Sequence, residues 1–252
     1  CKWCLNNKKE DCFIFVDNLC VSLSVSAFIA AKIFRVKILT VVTDVPGYTL
    51  NNKMSFRAEV AMYIVKKIFS HFDYFILLTE QMNDIVNPKN KPYLIMEGLV
   101  DINMEDKLTH KSKNEKIVLY AGGLIIKYGI VDMLNAFMRL EGDNLRLHLY
   151  GDGDAVKYII KCTKKDERIK YFGVCSNDIV VEDQLKSTIL INPRPTNEEF
   201  TKYSFPSKNM EYMVSGTPVL TTKLPGMPKE YYNHVYLIEN EWFWEMQAQV
   251  AL

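Results

Sequence analysis

The sequence predicts an α/β protein with two Rossmann-like domains in tandem. Three observations lead to this prediction: strand and helix patterns alternate, the strands are apolar on both faces, and a polar, lysine-rich segment interrupts the alternation. Strands that are apolar on both faces are typical of parallel sheets covered by helices. We therefore expect a first domain at residues 1–103, a linker at 104–115 and a second domain at 116–252.

The elements follow in order. In the first domain, CFIFVD, VKILTVVTDVP, YFILLTE and KPYLIMEG are strand patterns, separated by the helical patterns SLSVSAFIAAKIF, FRAEVAMYIVKKIFSHF and QMNDIV. In the second domain, the predicted strands are KIVLYAGG, LRLHLYGDGD, IKYFG, TILINPR, TPVLTT and VYLIE. Helical patterns separate most of these strands, and the last of them is FPSKNMEYMVS.

Composition narrows the function. The 252 residues carry a formal net charge of +1, whereas a nucleic-acid-binding domain would show a strongly basic face. No apolar run reaches the roughly 18 residues needed to cross a bilayer, so we expect a cytoplasmic protein. Cys1 and Cys4 form a CxxC motif, but no second ligand pair stands at a workable spacing. We expect reduced thiols, with Cys20 buried in a helix, and no metal site.

Small and polar residues follow three strands of the second domain. Gly122 and Gly123 follow the first, Gly151 and Asp152 the second, and Asn192–Arg194 another. The carboxyl ends of parallel strands share one edge, where such sheets bind ligands. Glycine lets main-chain N–H groups approach an anion closely. Because neither GxGxxG nor a P-loop motif is present, we do not expect a standard dinucleotide or ATP site.

The stretch KYSFPSKNMEYMVSGTPVL places polar residues where a helix begins. We expect Ser204 to cap this helix and Pro206 to lie in its first turn. Free amides at such a helix entrance bind phosphate. The carboxylate of Glu211 is suited to the two hydroxyls of a ribose. A solvated helix face with a Lys208–Glu211 pair is the alternative interpretation.

Several of these segments together resemble the retaining family-four glycosyltransferases, above all the bacterial branch that builds surface polysaccharides. The resemblance rests on YAGGLIIKYGIVDMLNAF, LHLYGDGD, IKYFG and LINPRPTNEEFTKYSFPSKNMEYMVSGTPVLTTKLPGMPKEY, which cover nearly all of residues 116–239. The first half is similar more loosely, through VVTDVPGY, LLTEQM and MEGLVD. The resemblance implies a glycosyltransferase-B fold and retention of configuration. It also implies a nucleotide diphosphate sugar as donor, a glycan or lipid-linked acceptor, and no cofactor.

The resemblance also implies roles for residues. The glycine turn would lie beside the diphosphate, Lys127 would supply a cation, and Gly151 with Asp152 would lie near the base. Asp44 would lie in the cleft loop of the first domain. The residues expected to act in catalysis are Asp44, Lys127, Lys208 and Glu211. The residues expected to bind the donor are Gly122, Gly123, Gly151, Asp152, Asn192, Arg194, Tyr203, Ser204, Phe205, Ser207, Lys208 and Glu211.

The sequence departs from the family pattern at several positions. Tyr203 stands where the first glutamate of a paired motif is expected, Gly123 where many relatives carry arginine, and Tyr128 where a lysine is usual. Compared with the family pattern, the sequence also lacks the opening strand-turn-helix units of the first domain and the final helices. We therefore expect an incomplete N-terminal domain, in a truncated chain.

Alternatives stay open. One is a non-catalytic module that binds a nucleotide sugar without transferring it. Another is an epimerase-type enzyme of related fold, although the histidine-rich site of such enzymes is not seen. The helix FRAEVAMYIVKKIFSHF, with Arg57, Lys66 and Lys67, either packs on the sheet or lies on an anionic bilayer. The second interpretation would place the protein at the inner face of a membrane.

Overall fold

The computed structural model describes residues 12–17, 20–45, 56–100 and 115–238. Its contacts divide the chain into two compact units. The N-terminal unit comprises Cys1–Gly98 and Glu198–Phe205, and the C-terminal unit comprises Leu99–Asn197 and Pro206–Leu252. The predicted linker lies almost wholly outside the described residues, as does the CxxC motif, so the predicted domain limits stay a prediction.

The described part of the N-terminal unit contains a four-stranded parallel sheet in the order β1-β2-β3-β4. The strands are β1 (Phe13–Asp17), β2 (Lys37–Val42), β3 (Tyr74–Leu77) and β4 (Tyr93–Ile95). The helices are α1 (Val21–Phe34), α2 (Phe56–Phe69) and α3 (Glu80–Val86). Buried aliphatic and aromatic residues, including Ile38, Val42, Phe69 and Phe75, form the core.

The C-terminal unit contains a six-stranded parallel sheet within its described residues. The strands are β5 (Lys116–Ala121), β6 (Leu145–Tyr150), β7 (Ile169–Gly173), β8 (Ile189–Asn192), β9 (Val219–Thr222) and β10 (Tyr236–Ile238). The helices are α4 (Ile130–Phe137), α5 (Val156–Thr163), α6 (Asn177–Lys186) and α7 (Ser207–Val214). The spatial order β10-β9-β8-β5-β6-β7 is that of a Rossmann fold.

Successive residues of β5 point into different cores. Val118 packs into a cluster with residues of α4 and α5, whereas Leu119 packs with residues of α6 and α7. Both faces of the sheet are therefore covered, which explains why the strands are apolar throughout. The predicted α/β fold class with parallel sheets is confirmed.

The strands β5 and β8 separate at their carboxyl ends. β5 pairs with β6 over its whole length, but with β8 only at Val118 and Leu119. The chain changes direction across the sheet at this point, since β6 and β7 lie on one side of β5 and β8 to β10 on the other. Open α/β sheets bind ligands in the crevice at such a switch point.

Three local predictions were wrong, those for Cys20, Ser204 and Pro206. Cys20 is exposed and precedes α1 rather than lying buried within it. Ser204 does not cap α7, because Pro206 holds the N-cap position and its carbonyl accepts a hydrogen bond from Asn209 N, over 2.8 Å. Ser204 instead belongs to the segment Glu198–Phe205, which packs with the N-terminal unit. None of the described helices is long and apolar enough to span a membrane.

Candidate functional site

A pocket of about 270 Å³ opens at the carboxyl ends of β5 and β6. The end of β5, the end of β6, the loop after β7 and the helices α6 and α7 all contribute to it. Its lining residues are Ala121, Gly122, Tyr150, Gly151, Val174, Cys175, Asn177, Val180, Lys208 and Glu211. The pocket therefore lies beside the switch point of the C-terminal sheet.

Main-chain groups form the rim of this pocket. Gly122 N donates to Tyr150 O over 2.9 Å, and Gly151 N donates to Gly173 O over 2.8 Å. Gly151 has a φ of +123°, and a Cβ there would lie 1.9 Å from Gly122 O. Only glycine allows these two strand ends to approach so closely.

Lys208 brings a cation onto the glycine turn. A Cβ at Gly122 would lie 1.6 Å from Nζ of Lys208, so the missing side chain makes room for the amine. The same Nζ lies 5.7 Å from the ring centre of Tyr120. Burial and the nearby charge of Arg194 lower the pKa of Lys208 from 10.5 to about 8, although Glu211 opposes them. Such a half-buried, poorly solvated ammonium group gains strongly from an anionic ligand.

Arg194 supplies a second positive charge. Its guanidinium carbon lies 4.5 Å from the ring centre of Tyr128, in a cation–π contact. Tyr128 occupies the position where the family pattern has a lysine. This tyrosine thus holds an arginine from the loop after β8, close enough to influence the pKa of Lys208.

Glu211 is held by a neighbouring helix. Its Oε1 accepts a hydrogen bond from Nε2 of Gln184 over 3.0 Å, and Gln184 is fully buried in α6. Glu211 is partly exposed and lines the pocket. Its carboxylate is thus fixed at one oxygen and can still accept hydrogen bonds from a ligand.

Tyr212 fixes the last residue of β5. Its buried hydroxyl accepts a hydrogen bond from Ala121 N over 3.0 Å and donates one to Ala121 O over 3.4 Å. β8 offers no strand partner at this position, because β5 and β8 have already diverged. The phenol therefore replaces a strand in positioning the glycine turn that follows.

Asn192 has a structural position. It is buried, and its Nδ2 donates to Asn209 Oδ1 over 2.8 Å. Asn209 Nδ2 in turn donates to Thr221 Oγ1 over 3.1 Å. This chain of hydrogen bonds links α7 to the ends of β8 and β9, so Asn192 supports the helix that carries Lys208 rather than lining the pocket.

The structure brings together only part of the predicted set. Gly122, Gly151, Lys208 and Glu211 all line the pocket. Gly123, Asp152, Lys127 and Ser207 lie outside the lining. The carbonyl of Gly123 accepts a hydrogen bond from the hydroxyl of Tyr120, and the carboxylate of Asp152 accepts one from the N–H of Gly153. Lys127 lies in a short 3-10 helix, and Ser207 is exposed.

Arg194 also lies outside the lining. Four further predicted residues belong to the N-terminal unit. Asp44 follows β2, and Tyr203, Ser204 and Phe205 lie in the segment Glu198–Phe205. Tyr203 packs against the core of that unit. The roles assigned to these four residues stay predictions.

Sequence reasoning missed one side of the pocket. Tyr150, Val174, Cys175, Asn177 and Val180 line it without having been predicted. The signal was present, because Val174 and Cys175 directly follow the strand IKYFG and the strand-end rule applies to them too. Within the described ranges, no group of three or more His, Cys, Asp or Glu side chains is arranged to hold a metal ion.

Comparisons with known structures match this architecture. HepE of Anabaena in complex with UDP superposes with a TM-score of 0.66 at 15% identity, over 99% of this chain and 70% of HepE. Sucrose-phosphate synthase from Thermosynechococcus elongatus gives 0.69 at 16% identity, over 94% of this chain and 63% of the synthase. WaaG, a glycosyltransferase involved in lipopolysaccharide biosynthesis, gives 0.58 at 13% identity, over 92% and 74% of the two chains.

These neighbours share the glycosyltransferase-B fold, as the resemblance in the sequence implied. Comparison with curated protein sequences gives no significant match. The family model described as "Glycosyl transferases group 1" matches residues 101–249, which is more than half of the chain. The chain therefore belongs to the glycosyl transferases group 1 family.

Proposed function

We propose that this chain transfers a hexosyl group from a nucleotide diphosphate sugar to a glycan or lipid-linked acceptor in the synthesis of a cell-surface polysaccharide. The C-terminal unit would hold the donor in the pocket beside β5. Family membership supports a transferase. HepE, a structural neighbour, has been crystallised with UDP and glucose, which supports a donor of this class.

The observation that carries the proposal is the position of Lys208 at the glycine turn after β5, where its Nζ lies in the space that a side chain at Gly122 would take. Burial, and then the charge of Arg194, disfavour the charged form of Lys208, so an anion beside its Nζ would stabilise that form. A diphosphate supplies that anion. Because no side chain projects from Gly122, Nζ of Lys208 lies close to the main chain of the turn, and the two can contact the same anion.

The proposed reaction breaks the bond between the anomeric carbon and the donor's β-phosphate oxygen, and forms a bond from that carbon to an acceptor oxygen. The nucleoside diphosphate leaves with the bonding electrons, and its leaving oxygen takes up the proton that the acceptor hydroxyl loses. Negative charge grows on the leaving diphosphate, where Lys208 and Arg194 stabilise it. We further propose retention of configuration and no cofactor besides the donor.

Glu211 would bind the ribose of the donor. Its carboxylate accepts hydrogen bonds from the two vicinal hydroxyls, which are good donors to a charged acceptor. The hydrogen bond from Gln184 leaves the second carboxylate oxygen available for this contact. Asp44, in the N-terminal unit, would act near the sugar.

A lipid-linked acceptor would place the enzyme at the cytoplasmic face of a membrane. Helix α2 exposes Tyr63 and Ile64 beside the exposed Lys66 and Lys67. Apolar and basic residues side by side favour contact with an anionic bilayer. Sedimentation with vesicles, with and without anionic lipid, should show binding only to the anionic ones, and the Lys66→Glu, Lys67→Glu double variant should lose it.

Calorimetry tests the donor site. The chain is titrated with UDP, GDP, ADP and inorganic pyrophosphate, beside the variants Glu211→Ala and Glu182→Gln. We expect micromolar binding of at least one nucleotide, weakened at least tenfold by Glu211→Ala, or about 1.4 kcal/mol. Glu182→Gln is the matched control, because Glu182 lies on α6, is exposed and pairs with Lys186.

Two results would separate the alternatives. A folded chain that binds neither nucleotide nor pyrophosphate would overturn the proposal. Nucleotide binding without turnover, tested with the matching radiolabelled sugar donor and lipid-linked acceptors, would favour the non-catalytic module that the sequence also allowed.

A further inference from the structure

One face of the N-terminal sheet is covered by helices and the other is not. The core of this unit joins one face of the strands to α1, α2 and α3, through residues such as Val16, Ile38 and Phe75. The side chains of the opposite face alternate with these along each strand. The described helices of this unit leave that second face uncovered. Its apolar residues, which lie outside the core, are Phe13, Phe15, Leu39, Val41, Tyr74, Ile76 and Leu94.

The uncovered face is most exposed at β1. Phe13 is 47% and Phe15 65% exposed, and the ring of Phe13 contacts the ring of Tyr74 edge-on, with centres 5.7 Å apart. Parallel sheets are normally covered on both faces. Adjoining exposed phenylalanines in such a sheet therefore mark a contact surface.

The same strand forms an open edge. Among the described strands, β1 pairs with β2 alone, because the order of the sheet is β1-β2-β3-β4. Edge strands that stay solvated usually carry lysine, proline or a bulge, which prevent pairing with another chain. From Phe13 to Val16, β1 has no charged residue and no proline, and its register with β2 is regular. The outward main-chain groups of this stretch can therefore pair with another strand.

This edge is complementary to itself. A twofold axis through Phe15, perpendicular to the sheet, sets β1 antiparallel to β1 of a second copy and keeps equivalent faces on one side. Phe15 then faces Phe15 of the second copy, and Phe13 faces Asp17 of the second copy. Within each chain, Lys37 lies beside Phe13, since the register of β1 and β2 pairs these two residues. Lys37 and Asp17 of the second copy thus share a face and carry opposite charges.

We propose that this chain forms a homodimer through β1, in which two four-stranded sheets join edge to edge. The new strand pair satisfies main-chain groups of both edges. Phe13 and Phe15 of the two copies cover one another, and two Lys37–Asp17 pairs flank them. The proposal does not depend on the donor site, because every residue that it uses lies in the N-terminal unit.

Cross-linking tests the register. Directly opposed Cα atoms of an antiparallel pair are about 4.5–5.5 Å apart, which suits a disulfide. Phe15→Cys should therefore cross-link to itself across the axis under mild oxidation, and mass spectrometry should identify the peptide pair joined at position 15. Phe13→Cys is the matched control. Its two copies would lie about 13 Å apart along the strand direction, so they should not cross-link to each other.

Sedimentation velocity over a range of concentrations tests the association. We expect a reversible equilibrium between monomer and dimer for the whole chain. Phe15→Glu should give a monomer, because it buries two carboxylates on the axis. Ile160→Glu is the matched control, since Ile160 is an exposed apolar residue of α5 in the C-terminal unit, and it should leave the equilibrium unchanged.

A charge exchange tests the orientation of the second copy. Asp17→Lys and Lys37→Asp should each raise the dissociation constant of the dimer at least about fivefold, because like charges then face each other twice in every dimer. The double variant should return the constant to within about twofold of its original value. Restoration of this kind requires that the two positions meet across the interface.

Four results would overturn the proposal. A monomer at every concentration would assign the open edge to a segment or partner outside these 252 residues. Polymers that grow with concentration would indicate contact between unlike edges, such as β1 with β4. A dimer that persists in Phe15→Glu would place the interface elsewhere. A double charge variant that stays weak would rule out the antiparallel pairing of β1.

Discussion

Gln184 donates a hydrogen bond from Nε2 to Oε1 of Glu211 over 3.0 Å, from a position that is fully buried. The preceding residue, Asp183, accepts the hydroxyl of Tyr150 over 2.8 Å. Consecutive residues of α6 therefore hold the proposed ribose ligand on α7 and the pocket-lining Tyr150 on β6. One helix fixes two sides of the pocket at once.

Gln184→Leu should weaken nucleotide binding. The substitution keeps a buried side chain of similar size but removes the donor to Glu211, whose carboxylate is then free to turn toward solvent. We expect the Kd for UDP to rise about three- to tenfold, in line with about 1 kcal/mol for a typical hydrogen bond. Pyrophosphate binding, measured in the same calorimeter, should stay within a factor of two. A parallel loss for both ligands would contradict the assigned role.

Gly122→Ala should weaken anion binding. A Cβ there would lie 1.6 Å from Nζ of Lys208, and φ is +144°, so both the amine and the turn must move. We expect pyrophosphate affinity to fall more than tenfold. Gly216→Ala is the control, because its φ is +68° with no atom within 4 Å of the added Cβ. It should lower stability by about 1–2 kcal/mol and leave affinity unchanged.

Binding of the diphosphate should weaken above pH 8. Burial, and then Arg194, lower the pKa of Lys208 to about 8, so the amine is charged below that pH and neutral above it. A bound anion favours the charged form, so binding above pH 8 must first recover a proton. We expect the Kd for UDP to be flat from pH 7 to 7.5 and about tenfold higher at pH 9. In Lys208→Met, binding should be weaker, and this pH dependence should be absent.

Tyr212→Phe should destabilise the C-terminal unit. The substitution leaves the N–H of Ala121 without its hydrogen bond inside the protein. Loss of a typical hydrogen bond costs about 0.5–1.5 kcal/mol, which urea unfolding would show as a lower midpoint at constant slope. Tyr236→Phe is the control, since Tyr236 is 53% exposed and its change should have little effect. Equal midpoints for both variants would argue against the role given to Tyr212.

The sequence predicted the elements well, because burial on both faces of a sheet leaves a continuous apolar pattern. The glycine turn and Lys208 were also predictable, since glycine allows close approach of the main chain and lysine carries a positive charge. Tyr150 and Gln184 were not. Their partners, Asp183 and Glu211, lie 33 and 27 residues away, and only the strand order shows that these pairs meet.

Ser204 shows a different limit. Its residue type and spacing are those of a helix cap, but the segment Glu198–Phe205 packs with the N-terminal unit, and the helix begins only at Ser207. Tertiary packing overrode a local preference that is worth about 1 kcal/mol. No rule based on neighbouring residues alone anticipates that outcome.

The rim of the pocket is built from main-chain hydrogen bonds, such as those from Gly122 N to Tyr150 O and from Gly151 N to Gly173 O. Bonds of this kind do not depend on side-chain identity, apart from the glycines that permit them. The surrounding positions Val174, Cys175 and Asn177 can therefore be randomised without dismantling the rim. Libraries at these three positions are a practical starting point for changing which donor the enzyme accepts.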